Sequence, residues 1–242
     1  MLVVKNVVKT LGNREILHNV NFCLKKGQVV ALVGPNGAGK TTLMRMISGF
    51  YKQETGEILL DGISVENNRI DFLKNIAYVP ENGGIYPDMS VFEFLRFMAG
   101  VKHLDNADFD KNVKVVIKNL ELESVINQKC ETLSKGYKRR VAIAGGMLSC
   151  PKILILDEPT EGLDPQQKLR LRQVLKDYAK TNTILISTHI MEEVEALADR
   201  ILIIKNGKLV CDSTPDDLKK NTSQNRIEES FYTLVNDVDG EN

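Results

Sequence analysis

An α/β fold is what the residue pattern predicts: a parallel sheet flanked by helices, with an antiparallel β portion at the N-terminus and an inserted helical lobe. Three observations carry it. The apolar, β-branched run Val29-Val30-Ala31-Leu32-Val33 passes through a glycine-rich loop into the helix-forming Leu43-Met44-Arg45-Met46-Ile47. Beyond Pro151, strand-like and helix-like segments alternate, the pattern of a parallel sheet. Between these two regions, residues from about 82 to 150 read as loop and helix.

Taken in order, residues 2–9 and 16–24 read as strands around a turn at Gly12-Asn13, and Lys26-Gly27 leads into the strand at 29–33. Residues 57–60 form a strand, Asp61-Gly62 a turn, and 76–79 another strand; 82–88 is loop by composition. Ser90-Val91-Phe92-Glu93 is a capping-box pattern, so a helix runs from 91 to about 99. Apolar spacing at Phe109, Val113, Val116, Ile117 and Leu120 predicts a second helix, and a third covers about 137–149. Residues 153–156 are a strand, Asp164-Pro165 caps a helix to about 180, 183–187 is a strand and 190–198 a helix. Asn206-Gly207 turns a hairpin between 201–204 and 208–211, and Thr214-Pro215 starts a short helix. The last 22 residues hold Glu228, Glu229, Asp237, Asp239 and Glu241 against Arg226, a net charge of −4. That stretch, 221–242, reads as an acidic tail with a short helix over 227–235 and a frayed end.

The 242 residues are 43% hydrophobic and 26% charged, which excludes a disordered chain. Lys+Arg and Asp+Glu are 32 each, so no general basic field gathers nucleic acid. Cys23, Cys130, Cys150 and Cys211 are scattered, with no CxxC pair, and read as reduced, mostly buried thiols. No signal segment is evident, and no apolar run approaches the roughly 18 residues that span a bilayer. A cytoplasmic location is expected, with any membrane role supplied through a partner.

The loop after the 29–33 strand reads Gly34-Pro35-Asn36-Gly37-Ala38-Gly39-Lys40-Thr41-Thr42. Glycines at 34, 37 and 39 let successive backbone N–H groups point into one concavity, and the helix start adds partial positive charge. Lys40 then reaches the terminal phosphates of a nucleotide, and the Thr41 hydroxyl can hold a magnesium ion bridging their oxygens. Strand, glycine loop and helix together make this a phosphate loop for a nucleotide, where the glycines alone also read as a turn that caps a helix. The strand Ile153-Leu154-Ile155-Leu156 ends in Asp157-Glu158. Beside a phosphate loop, Asp157 binds the metal, directly or through water, and Glu158 orients and deprotonates the attacking water. Alone, Glu158 also reads as an N-terminal charge for the next helix.

Three further motifs follow in order: Leu133-Ser134-Lys135-Gly136-Tyr137 ahead of the acidic strand, Pro159-Thr160-Glu161-Gly162-Leu163-Asp164 directly after it, and Ser187-Thr188-His189 after the next strand. With these the chain resembles the ATP-binding cassette (ABC) ATPases over residues 2–218, the first motif standing where that family carries LSGGQ. The resemblance implies a P-loop NTPase core, an ATPase domain over 1–220 and a helical subdomain at about 82–150. It also implies a head-to-tail dimer, of this chain or with a related cassette subunit, sandwiching two ATP molecules. Lys40 and Thr41 of one subunit then face Ser134 and Gly136 of the other. Asp164 sits at the subunit boundary, and His189 bonds the γ-phosphate and holds the attacking water. Ser134 also reads as a helix N-cap, Gly136 as a turn residue and Asp164 as a cap, while Lys138-Arg139-Arg140 reads as a solvated helix face.

Three departures from the family pattern stand out. Leu11 occupies the place usually held by an aromatic residue against adenine, which removes a ring-on-ring term of about 0.5–1.5 kcal/mol. Glu81 replaces a glutamine that contacts the metal; a carboxylate there only accepts, and it adds charge beside magnesium. Lys135 and Tyr137 replace a glycine and a glutamine of the signature. The stretch YVPENGGIYPDMSVFEFLRFMAG is similar to ATPase subunits of type-2 (ABC-2) exporters. That likeness implies a separate transmembrane permease, export, and a position on the inner face of the membrane. Ile85, Tyr86, Met89, Phe92 and Phe97 either line a groove for a short permease helix or pack inside the lobe, the second being favoured for Phe92 and Phe97. A nucleic-acid or ribosome-acting cassette would bring tandem cassettes, zinc modules or coiled-coil insertions, and none is present. A nucleotide sensor without turnover is disfavoured by the Asp157-Glu158 pair and His189.

Overall fold

A computed structural model describes residues 1–220 and 226–236. The first part of the chain contains β1 (Leu2–Leu11), β2 (Arg14–Leu24), β3 (Gln28–Val33), α1 (Lys40–Ile47), β4 (Thr55–Leu60), β5 (Ile63–Ser64), α2 (Arg69–Lys74) and β6 (Ile76–Val79). Three helices follow: α3 (Val91–Val101), α4 (Asn106–Asn119) and α5 (Lys135–Met147). The last part holds β7 (Ile153–Asp157), α6 (Pro165–Ala179), β8 (Thr183–Ser187), α7 (Met191–Leu197), β9 (Arg200–Lys205), β10 (Lys208–Ser213), α8 (Pro215–Lys220) and α9 (Ile227–Asn236).

β3 is the central strand, and its unbroken apolar sequence reflects burial on both faces. Val29, Ala31 and Val33 point into a core shared with α3–α6, whereas Val30 and Leu32 point into a core with α1 and the N-terminal strands. The sheet around it runs β10-β9-β3-β8-β7-β6, parallel throughout except for the β9–β10 hairpin. A second, antiparallel sheet of order β2-β1-β4-β5 closes over α1. The carboxyl ends of β3, β6, β7 and β8 therefore open on one side, where ligands of α/β sheets bind.

Local signals set the helix starts. Ser90 and Glu93 complete the capping box of α3, Asp105 caps α4 through Asp108 N at 2.8 Å, and Asp164 caps α6 through Gln167 N at 2.8 Å. The Gly145-Gly146 pair lets α5 approach on two sides at once. A Cβ on Gly145 would come within 2.9 Å of Phe94 on α3, and one on Gly146 within 2.7 Å of Val79 on β6.

Several expectations need correction. Of the cysteines only Cys130 is buried; Cys23 and Cys211 are half-buried on the edge strands β2 and β10, and Cys150 is exposed in the turn after α5. Phe92 and Phe97 do not pack inside the lobe but are 43% and 39% exposed, edge-on to Phe109 and Tyr86 respectively. Arg139 and Arg140 are not a solvated face, being 4% and 6% exposed, because their turn of α5 lies against the sheet and α4. α2 and β5 had no expectation; six and two residues are too short to show a period. Of the expected acidic tail, Asp237, Asp239, Glu241 and the frayed end lie outside the described residues.

Candidate active site

The loop between β3 and α1 is shaped by glycine. A Cβ on Gly34 would lie 2.1 Å from the Ile204 carbonyl, and Gly39 adopts φ +106° with Leu17 2.7 Å from any Cβ. Gly39 N-caps α1 without a side-chain bond, which leaves the first-turn N–H groups for a ligand. Lys40 folds over the loop, its Nζ donating to the carbonyls of Gly34 (2.7 Å) and Pro35 (3.1 Å). Burial pushes its pKa down, and the charges of Glu158 and Asp157 oppose that shift.

Asp157 ends β7, where all five residues are buried. Its Oδ1 accepts from Ser187 Oγ, and its Oδ2 accepts from Thr41 Oγ1 (3.2 Å) and Tyr78 OH (3.3 Å). Burial, followed by the charge of Asp157, pushes the Tyr78 pKa up to about 12, so the phenol stays a donor. Glu158 takes a left-handed conformation, φ 49°, unusual for a residue that is not glycine. Its N–H donates to Ser187 O (3.1 Å), and its Oε1 lies 2.9 Å from His189 Nδ1. The Glu158 side chain is 13% exposed and that of His189 64%, so the pair runs from the interior to the surface.

These groups surround one cavity of about 350 Å³, lined by Asn36, Gly37, Gly39, Lys40, Thr41, Thr42, Glu81, Asp157 and Glu158. A neighbouring space of about 580 Å³ is lined by Gly34, Pro35, Asn36, Glu81, Glu158, Glu161 and His189, together with Phe231 and Tyr232 of α9. Ala38 is buried in the core beneath the loop. Leu11 lines neither space; it is 38% exposed at the hairpin tip, while its cross-strand partner Arg14, with Ile16, lines the first. No spacing signal singled out Arg14, Ile16 or Tyr78, since hairpin register brings the first two to the cavity and sheet order sets Tyr78 beside Asp157.

Hard oxygen donors at Thr41, Asp157 and Glu81 suit magnesium rather than a softer metal. Among the described residues no three His, Cys, Asp or Glu side chains converge to hold a metal alone. That fits an ion held by one or two protein groups together with nucleotide phosphates.

Ser134, Gly136 and Asp164 line neither cavity. Ser134 N-caps α5 through Tyr137 N at 3.3 Å, and Gly136 is buried so that a Cβ would meet Gln167 Oε1 at 2.7 Å. Lys135 bonds Glu161 at 2.6 Å. The signature residues and the 159–164 loop thus pack on one another, and of that loop Glu161 lines the second space beside Gly34, Pro35 and Asn36.

Residues 17–161 match the family model described as ABC transporter. The chain belongs to the ABC transporter family. Over 98% of its length it is 36% identical to the linearmycin resistance ATP-binding protein LnrL of Bacillus subtilis, covering 77% of that protein. The lantibiotic transport ATP-binding protein SrtF of Streptococcus pyogenes is 35% identical, over 97% of each chain. Among solved structures, an ATP-binding subunit of an ABC transporter superposes with a TM-score of 0.89 at 30% identity, covering 96% of this chain and 98% of that one. The dimeric ABC transporter cassette MJ0796 gives 0.79 at 28% identity, covering 88% and 98%. The protein is an ATP-binding subunit of an ABC transporter, an ATPase with the α/β cassette fold. ABC cassettes work with transmembrane components. No helix among the described residues is long and apolar enough to cross a membrane.

Proposed function

We propose that two copies of this chain, or one copy and a related cassette, close head to tail over two ATP molecules, and that hydrolysis drives export through a separate transmembrane permease. One observation carries this reading. Lys40, Thr41, Asp157 and Glu158 converge on one cavity and His189 on the space beside it, while Ser134 and Gly136 lie outside both on the same chain. A second copy would supply them, presenting the start of α5 to the γ-phosphate as a helix N-terminus. Asp164, in the loop packed on that helix, would lie at the boundary and link the two sites.

The chemistry is in-line attack of water on the γ-phosphate, where positioning and electrostatics supply most of the acceleration. Lys40 leaves its two carbonyls for the β- and γ-phosphates, and the backbone N–H groups of residues 34–42 cradle them. Glu158 accepts the proton of the attacking water. With His189 Nδ1 engaged by Glu158, Nε2 is the nitrogen left for the γ-phosphate. Thr41 and Asp157 would hold magnesium, with Glu81 on the same side of the cavity. An ion held there would supply positive charge against the charge that develops on the transferring phosphoryl group. Leu11 packs on the adenine face beside Arg14.

The groove by Tyr86, Phe92 and Phe97, whose rings are exposed, receives a permease helix, and Glu81 relays its motion to the site. The names of the relatives, linearmycin resistance and lantibiotic transport, support export. Residues 1–220 are the ATPase domain, with the helical subdomain at about 82–150, and 221–242 an acidic tail. The protein sits in the cytoplasm, peripheral to the inner membrane face through the permease.

Replacing Glu158 by Gln tests the base. Turnover is expected to fall at least about 100-fold with ATP binding retained. Near-normal turnover removes Glu158 from that role.

A further inference from the structure

We propose that Arg139 is a positioning residue for ATP hydrolysis: one buried guanidinium ties the signature helix to the two segments that carry Glu81 and Glu158. The proposal rests on reading Glu158 as the general base.

Arg139 lies five residues after Ser134 on α5 and is 4% exposed. Its Nη1 donates to Pro80 O (2.6 Å) and Glu81 O (3.1 Å), its Nε to Pro159 O (3.3 Å), and its Nη2 to Asp157 O. Those carbonyls lie at or just beyond the carboxyl ends of β6 and β7, neighbouring parallel strands. The segments therefore hold Glu81, Asp157, Glu158 and the start of the loop to Asp164. Only a planar fork of donors reaches so many acceptors from one side chain; a lysine offers a single point charge.

Packing alone does not call for this group. Desolvation pushes the guanidinium pKa down, and the carboxylates of Asp157, Glu161, Glu158 and Glu81 work against that shift without bonding it. An apolar side chain of similar length would fill the space without a buried cation. What the cation adds is registry. α5 meets the sheet at a second point, Gly146 against Val79 and Leu154. With both points fixed, a displacement of Ser134 is passed to the backbone of Glu81 and to the turn that aims Glu158. None of the four carbonyls belongs to residues 34–42, so ATP capture is left alone.

The test uses the full chain with R139Q, R139K and E158Q, following steady-state ATPase, ATP binding and thermal melting. In R139Q, kcat is expected to fall about 10- to 100-fold while KM for ATP stays within about threefold. R139K, which keeps a cation but not the fork, is expected to lose at least about fivefold in kcat at the same KM. A lobe-stapling role alone would lower the melting temperature and leave kcat of the folded chain unchanged. Accordingly, kcat within about twofold of wild type in R139Q, or in R139K where R139Q does not fold, overturns the proposal. Should neither fold, amide exchange in the wild-type chain with AMPPNP and magnesium decides. Residues 81–84, 135–139 and 157–163 are expected to gain protection together, and protection confined to one segment overturns it. A slow E158Q with a fast R139Q discards Arg139 alone, whereas a fast E158Q discards the base assignment.

Discussion

Asp157 owes its setting to three hydroxyls from three elements: Thr41 on α1, Tyr78 on β6 and Ser187 on β8. The Tyr78 pKa is raised from 10.0 to about 12, so the folded state holds that proton more tightly than the unfolded chain does. The stability it lends is complete below pH 10.0 and is lost as pH climbs towards about 12. Tyr78→Phe is therefore expected to flatten the decline in urea-unfolding free energy across that window; parallel curves for the two proteins would contradict it. The phosphate loop, Asp157 and Glu158 were legible because each lies in a continuous motif. The bonds of Tyr78 and Ser187 to Asp157 were not, although Ser187 lies in a motif, because strand order rather than spacing sets them there. Arg139 was misread for a related reason. Three adjacent cations look solvated, yet Arg139 and Arg140 open a run in which every residue to Met147 is buried. The apolar and small residues from 141 to 147, with no polar face among them, were the available signal of a helix buried all round.

Among the elements, α5 carries the most constraint, wedged between α3 and the sheet through adjacent glycines. Gly146→Ala would gain about 1 kcal/mol of helix propensity. It would also force a methyl group to within 2.7 Å of Val79 Cγ2 and 3.3 Å of Leu154 Cδ1. Overpacking of that kind costs about 1–3 kcal/mol, so a net loss in urea unfolding is expected. Gly100→Ala on α3, with nothing within 4 Å of a Cβ, should instead gain up to about 1 kcal/mol. A Gly146→Ala protein as stable as Gly100→Ala would show that α5 has room to move. Helices with side-chain caps and apolar periods were readable from sequence: α3 from its capping box, α6 from Asp164-Pro165. α2 was not, since Phe72 is its one buried residue. The glycines at 145 and 146 gave no sign of which neighbours they admit; a missing side chain identifies a close approach only once the partner is in place.

At the scale of the whole molecule, the alternation of strands and helices made the parallel sheet readable, but not its order. β3 lies between β8 and β9, which come more than 140 residues later on the chain. That order puts Lys40, Asp157, Glu158 and His189 around two adjoining spaces that Ser134 and Gly136 do not line. On the proposed reading the site is divided between two copies of the chain, and closure of the pair brings its parts together. The solution mass of the Glu158→Gln chain saturated with ATP and magnesium, taken alone and with the permease, tests this most directly. Twice the single-chain mass is expected for the chain alone, and two chains per complex with the permease. A chain that is full of nucleotide yet stays monomeric in both would contradict the shared site.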